Sequence, residues 1–178
     1  MKKKHLIIAM LFSIFAVNAQ NDNSEIEKKN EIKLNVLALV TGGLEGTYER
    51  NLNKKNSLGV SLMAVFNDHS ANDLNYSLSP YYRRYFGKKI ASGFFLEGFG
   101  MLTNIDGKKV YDPIDNSKFT EGSDVFDLSL GLGLGSKWVT KSGFIFEANL
   151  GMGKLLFNAD KTDHDHVARF GLHVGYRF

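Results

Sequence analysis

The chain has 178 residues, which suffices for one domain, and a formal net charge of +3. The excess charge lies in the first 19 residues, which hold three lysines and no acidic residue, so the rest is neutral and gives no electrostatic argument for binding nucleic acid. Cysteine is absent, which excludes disulfides and predicts that no lipid-modified cysteine anchors the protein.

The first element is a basic and then apolar segment. Lysines 2–4 precede the apolar run 6–17, and Val17-Asn18-Ala19 supplies the small residues of a cleavage site. This pattern predicts a secretory signal peptide at residues 1–19. Residues 20–30 are polar and aperiodic and predict a flexible periplasmic leader. Nothing after them provides the roughly 18 consecutive apolar residues that a membrane-spanning helix requires.

Alternation of apolar and polar residues then continues to the end of the chain. This period of two predicts strands, and no segment has the pattern of an amphipathic helix. The eight predicted strands span 31–40, 44–52, 57–66, 75–86, 93–104, 124–138, 143–156 and 166–178. Short connections alternate with longer polar ones at 67–74, 105–123 and 157–165, so these long loops are expected at one end of the structure.

The two faces of these strands differ in composition. In DLSLGLGLGSKW (127–138), four leucines alternate with serine and glycine, and in VARFGLHVGYRF (167–178) an apolar face opposes arginine, glycine and histidine. A soluble lipocalin-type barrel turns its apolar face inward, whereas a transmembrane barrel turns it toward lipid. Rows of glycine do not suit a solvated outer surface, so the leucines are predicted to face lipid. We therefore predict an all-β fold, an eight-stranded antiparallel transmembrane β-barrel over residues 31–178.

Aromatic residues of the apolar face collect at the end that holds the short turns. They are Phe86, Phe94, Trp138, Phe144 and Phe178. Aromatic residues at one edge of an apolar band are typical of the girdle that a membrane barrel places at the lipid interface. Scattered core aromatics are the alternative interpretation.

The chain ends in HVGYRF (173–178), with an aromatic last residue and alternate apolar residues before it. With its export signal and eight strands, it resembles the small eight-stranded outer-membrane β-barrel proteins of Gram-negative bacteria. The segments SLSPYYRRYF (77–86) and GLGLGSKW (131–138) are similar to uncharacterised barrel families common in Bacteroidetes. The resemblance implies a place in the cell outer membrane, surrounded by outer-membrane lipid. It also implies that the barrel-assembly machinery reads Phe178 and Tyr176 as an assembly signal.

Several ionisable residues fall on the face opposite the lipid-facing one. They are Glu45, Glu49, Arg83, Glu97, Asp127, Glu147, Arg169 and Arg177. The interior of an eight-stranded barrel is just wide enough for side chains to fill, and buried charges must be paired. We therefore expect a paired network that closes the lumen, supported by Tyr81 and Tyr85. A proton or solute path is the alternative.

Histidines occur at two places where chemistry is conceivable. His164 and His166, within DHDH (163–166), share one side of an extended segment beside carboxylates, but two histidines form only an incomplete candidate metal site. His173 lies on the inward face, yet the His-x-Ser-Asn motif of lipid A deacylases is absent, since a valine and a glycine follow it. With no triad, phosphate loop or metalloprotease motif elsewhere, neither enzyme activity nor a cofactor is predicted.

The leading functional hypothesis is a non-enzymatic outer-membrane β-barrel protein that acts structurally or contacts a partner through its extracellular loops. The longest loop, 105–123, carries Tyr111 and Phe119, and loops on rigid scaffolds are common binding sites. The alternative is passage of a small or hydrophobic solute, which requires a continuous path through the lumen. A third hypothesis, hydrolysis of a lipid, requires a histidine and a hydroxyl within hydrogen-bonding reach on one surface.

Overall fold

The structure is a computed structural model that describes residues 28–66, 74–111 and 119–178. The predicted signal peptide, 1–19, and most of the predicted leader lie outside the described residues. Those two domain boundaries therefore stay predictions.

Eight of the strands close into one barrel. In chain order the described elements are β1 (Asn30–Asn35), α1 (Val36–Val40), β2 (Gly43–Asn51), β3 (Asn56–Val65), β4 (Leu74–Tyr85), β5 (Gly93–Ile105), β6 (Lys109–Tyr111), β7 (Phe119–Glu121), β8 (Val125–Val139), β9 (Phe144–Leu155), a 3-10 turn (Ala159–Lys161) and β10 (His166–Arg177). The order around the barrel is β1-β10-β9-β8-β5-β4-β3-β2, and every neighbouring pair is antiparallel. β6 and β7 pair only with each other, as a hairpin within the predicted loop 105–123. The predicted eight-stranded antiparallel barrel is confirmed.

The connections distinguish the two ends of the barrel. The turn end holds the short connections 52–55, 86–92 and 140–143 together with the last residue, Phe178. The loop end holds the longer connections and also α1.

The first predicted strand, 31–40, is wrong in its second half, because β1 ends at Asn35 and α1 follows it. The Asn35 side chain caps this helix, since its Oδ1 accepts hydrogen bonds from the backbone N–H of Leu37 at 3.1 Å and of Ala38 at 3.3 Å. A run of five apolar residues has no period that separates strand from helix. The Asn35 cap favours the helix here, and the prediction did not include this cap.

The outer surface of the barrel is apolar. Leu130, Leu132 and Leu134 are 57%, 76% and 49% exposed, as expected for the leucine-bearing face of β8. Exposed charged residues border this apolar band, with Arg50 toward the turn end and Lys154 toward the loop end. Apolar residues outside and polar residues inside are the arrangement of a transmembrane barrel. Among the described residues, no helix is long and apolar enough to cross a membrane.

The glycines on the inner face of β8 leave room for aromatic rings of β5. A Cβ atom on Gly131 would overlap the Phe99 ring and lie 2.6 Å from the carbonyl oxygen of Met152. A Cβ on Gly135 would likewise meet the Phe95 ring at 2.5 Å. Gly131 and Gly135 therefore stand where rings from the neighbouring strand already fill that part of the lumen.

Candidate functional site: the barrel interior

The centre of the lumen is occupied by ion pairs around Glu49 on β2. Its carboxylate accepts from Lys33 Nζ at 2.6 Å, from Arg83 Nη1 at 2.9 Å and from Lys137 Nζ at 2.7 Å. These cations come from β1, β4 and β8. β1 is the direct neighbour of β2, whereas β8 lies on the opposite side of the barrel, so the contact with Lys137 crosses the lumen. All four side chains are at most 1% exposed. Such buried charges are tolerable only because they are paired and hydrogen-bonded.

Two tyrosines complete the coordination of the same carboxylate. The hydroxyl of Tyr81 donates to Glu49 Oε2 at 2.9 Å, and the hydroxyl of Tyr85 donates to Glu49 Oε1 at 2.7 Å. The Arg83 guanidinium carbon also lies 4.3 Å from the centroid of the Tyr81 ring, a cation–π contact. The expected supporting role of these tyrosines therefore has a geometric basis.

Glu147 and Arg169 both face the lumen, as predicted, but they bind different partners. Glu147 accepts from Lys33 Nζ at 2.7 Å and from Arg83 Nη1 at 2.9 Å. Arg169 donates to Glu97 at 2.6 Å and has Glu45 at 3.7 Å. Knowing which strands are adjacent is therefore not enough to predict which lumenal charges form ion pairs.

A second group of contacts lies at the turn end. Glu31 accepts from Lys137 at 2.7 Å and from Arg177 at 2.6 Å. Arg177 also donates to the backbone carbonyls of Ile90 at 2.9 Å and Ala91 at 2.8 Å. The network is thus tied to the turn between β4 and β5 and extends along the lumen from this end to Arg169.

The ion-pair network of the described interior is balanced between five carboxylates and five cations, and the buried Asp127 lies outside it. The network's members are Glu31, Glu45, Glu49, Glu97 and Glu147 against Lys33, Arg83, Lys137, Arg169 and Arg177. A balanced set has no excess charge to attract a counter-ion into the lumen.

Asp127 is a correction to the predicted network. Its carboxylate lies toward the loop end, where it accepts from the backbone N–H of Leu128 at 2.6 Å, Phe157 at 3.1 Å and Asn158 at 2.7 Å. It therefore holds the chain just after β9 instead of pairing with a lumenal cation. Backbone N–H groups can satisfy a carboxylate as well as a cation can. Strand alternation predicts that Asp127 points inward, but it does not predict this partner.

Three network residues were missing from the prediction: Glu31, Lys33 and Lys137. In EIKLN (31–35), Glu31 and Lys33 alternate with two aliphatic residues, which is the same signal that identified the other inward residues. Lys137 directly precedes Trp138, which faces outward, so alternation places Lys137 on the inward face.

The described histidines, at positions 164, 166 and 173, belong to no cluster of three or more metal-ligating groups. The described residues contain no cluster of at least three His, Cys, Asp or Glu side chains that could hold a metal ion. His166 Nδ1 lies 2.6 Å from Asp165 Oδ1, and this hydrogen bond lowers the pKa of the Asp165 carboxyl. His173 is buried in the lumen, 3.9 Å from Glu45 and from Glu147, and so is not on the lipid-facing surface.

A cavity of about 530 Å³ lies above the network at the loop end. Its walls include Met63, Leu74 and Met101, and Glu45 and Arg169 also line it. The interior therefore has two parts, a filled one with ion pairs and a partly apolar space.

Comparisons with known proteins give a family and a similar barrel. The model of a family described as "Protein of unknown function (DUF3575)" matches residues 5–174. No curated protein matches the sequence. The crystal structure of the N-terminal beta-barrel domain of Pseudomonas aeruginosa OprF is similar, with a TM-score of 0.58 and 16% sequence identity over 85% of this chain and 98% of that chain. At this identity the similarity shows the fold alone.

Proposed function

Since the chain belongs to the DUF3575 family, whose description names no activity, we propose from the barrel itself that it is a structural, non-enzymatic protein of the outer membrane. In this proposal the barrel is a closed anchor that presents its loops outside the cell. The apolar outer surface and the similarity to a barrel domain of OprF support the membrane location.

The observation that carries the proposal is the ion-pair network across the lumen. Lys33, Arg83 and Lys137 converge on one carboxylate from three strands, and their side chains are at most 1% exposed. An open aqueous pore would hydrate these groups, whereas here each charge is satisfied by another side chain. The network therefore supports a closed interior and argues against ion passage, the alternative function.

The loop end offers the surface for contact with a partner. β6 and β7 extend the strand architecture into the longest predicted loop as a separate hairpin. Loops held by a rigid scaffold commonly carry binding residues. We also propose that loop 105–123 contacts an extracellular partner.

The closed interior predicts that the protein carries no steady ion current. The folded protein would be inserted into planar phosphatidylcholine bilayers, and the same preparation would be checked for folding by its heat-modifiable mobility in a gel. We expect no steady current above that of the lipid alone. A steady, ion-selective current in folded protein would contradict the closed anchor and favour transport.

In cells, a strain lacking the gene is expected to become more sensitive to detergent, and the full chain should restore resistance.

The proposed assembly signal gives a prediction about the last residue. Phe178 N donates to Asn30 O at 2.8 Å and Asn30 N donates to Phe178 O at 3.0 Å, so deleting the residue removes two barrel-closing hydrogen bonds as well as the ring. Phe178→Ala removes the ring alone. If the assembly machinery reads the ring, this variant should show less folded barrel in the outer membrane, yet fold like the original protein in pure lipid vesicles.

Comparing the two settings separates recognition from stability. Folded barrel would be measured by heat-modifiable mobility, with Phe94→Ala as a control that removes another exposed aromatic ring at the turn end. Equal amounts of folded Phe178→Ala and original protein in cells would remove the assembly-signal argument.

A further inference from the structure

The seam between the first and last strands is only partly closed by strand pairing. β1 has six residues and β10 has twelve, and their paired register ends at Asn35 and His173. Beyond this point the chain continues as α1, so toward the loop end β10 has a strand neighbour only on its β9 side among the described strands. The ladder that closes the rest of the barrel is interrupted here.

The Asn35 side chain marks the last closed position of the seam. Its amide nitrogen donates to the backbone carbonyl of Phe170 at 3.2 Å and to Glu45 at 2.7 Å, and its oxygen accepts from the backbone N–H of Leu172 at 3.2 Å. With these contacts the Asn35 side chain takes the place of strand backbone as hydrogen-bond partner of Phe170 and Leu172. Toward the loop end, the β10 backbone at Ala168 has no partner on the β1 side among the described strands.

The open part of the seam lies within the apolar band. Ala168 is paired with Met152 and Phe170 with Leu150, and these two β9 side chains are 65% and 60% exposed on the outer surface. Two residues further toward the loop end, His166 is paired with Lys154, where the band ends. The opening therefore faces hydrocarbon if the band lies in a membrane.

The cavity at the loop end borders this seam. Its lining includes Ala168 and Phe170, which belong to the outward face of β10, and Met63 and Met101, which point inward from β3 and β5. A single space is therefore lined by residues of both faces and, on its other side, by Leu39 and Val40 of α1, which packs against β10 and β2. Its volume of about 530 Å³ is within the range of roughly 300–1,000 Å³ usual for small-molecule pockets.

The chemistry of the walls favours a hydrocarbon chain. Methionine side chains are flexible and adapt to irregular apolar ligands, and Val65 and Leu74 add further apolar surface. The charged groups below them, Glu45 and Arg169, already have partners within the network. A chain can therefore fill the space without leaving a buried charge unpaired.

We propose that this cavity binds a single hydrocarbon chain of an amphiphile, which enters sideways from the membrane between α1 and β10. The proposal rests on the membrane-spanning barrel proposed above and adds a ligand to it. The chain belongs either to a free fatty acid or to a membrane phospholipid. The surrounding bilayer offers the same hydrocarbon in both cases, so experiment must distinguish the two sources.

Photolabelling of the folded protein tests the proposal. The protein would be folded in phosphatidylcholine vesicles that contain either a fatty acid with a diazirine in its chain or a phosphatidylcholine with the same group. After illumination, labelled residues would be mapped by mass spectrometry. We expect label on Met63 and Met101, which face the cavity, and none on Ile145, which is equally inward but only 1% exposed within the filled part of the barrel. Label from the fatty acid alone identifies a free acid, and label from both probes identifies a lipid chain.

A cavity-filling variant and a matched control test the assignment further. Ser77 lines the cavity and is 5% exposed, whereas its neighbour Leu78 points outward and is 38% exposed. Ser77→Phe should reduce the label on Met101 to the level of Ile145, and Leu78→Phe should leave it unchanged. If Ser77→Phe fails the gel test for folding, Ser79→Phe fills the same cavity from two residues away.

Two results would overturn the proposal. One is the absence of label on Met63 and Met101 with both probes, although outward Leu132 is labelled. The other is equal labelling of Met101 and Ile145, which would indicate non-specific access. Ion conductance, measured on the same preparation, tests the closed anchor separately, so failure of the two proposals can be distinguished.

Discussion

Glu49→Gln is expected to lower the free energy of unfolding by about 3–5 kcal/mol, the usual cost of breaking a buried ion pair on one side. The substitution preserves the shape of the side chain but removes the charge on which Lys33, Arg83 and Lys137 converge. It leaves buried positive charge without compensation in a lumen that excludes water. The loss would be measured by urea titration in lipid vesicles, with the fluorescence of Trp138, the single tryptophan, as the signal.

A double variant separates charge imbalance from loss of shape. Glu49→Gln/Lys137→Met removes one negative and one positive charge, and Glu31, the other partner of Lys137, keeps Arg177 at 2.6 Å. We expect the double variant to be more stable than Glu49→Gln alone, because neighbouring charge substitutions are not additive. Asp160→Asn, on an exposed residue of the 3-10 turn, should change stability by less than about 0.5 kcal/mol. A mild effect of Glu49→Gln together with a new steady current would indicate a hydrated channel.

Leu132→Arg is expected to cost about 2–4 kcal/mol if the residue lies near the bilayer midplane. Leu132 is 76% exposed in the middle of the outward face of β8, and its neighbour on β9 is the exposed Met152. An arginine there must place a charge in hydrocarbon or distort the surrounding lipid. The cost would be measured by the same urea titration in vesicles.

Phe66→Arg is the matched control for this substitution. Phe66 is 72% exposed, close to the value for Leu132, but it directly follows β3 at the loop end of the barrel. Near the interface the expected cost of arginine falls to about 0–1 kcal/mol. Equal and small costs at both positions would mean that the leucine face of β8 does not contact lipid.

The composition of the strand faces was enough to predict the barrel. Alternation is a local property, since successive side chains of a strand point to opposite sides whatever the rest of the chain does. It therefore assigned Glu49, Arg83, Glu97, Glu147 and Arg169 to the interior without any knowledge of their neighbours. Glu31, Lys33 and Lys137 carried the same signal.

Three features depend on contacts that are distant in the sequence. Glu147 pairs with Lys33 across 114 residues, a choice set by how the closed barrel aligns its strands. Asp127 binds the chain after β9 because that segment folds back over it. The open seam exists because Asn35 caps α1 and ends β1 halfway along β10.

The sequence by itself determined the number of barrel strands, the face on which residues within the strands lie and the end at which the long loops lie, because these follow from local alternation and from turn lengths. Only the tertiary structure decided which charges pair, where the wall is open and how large the cavity is. Those properties arise when β1 meets β10 and the barrel closes, which brings together side chains that no local pattern relates.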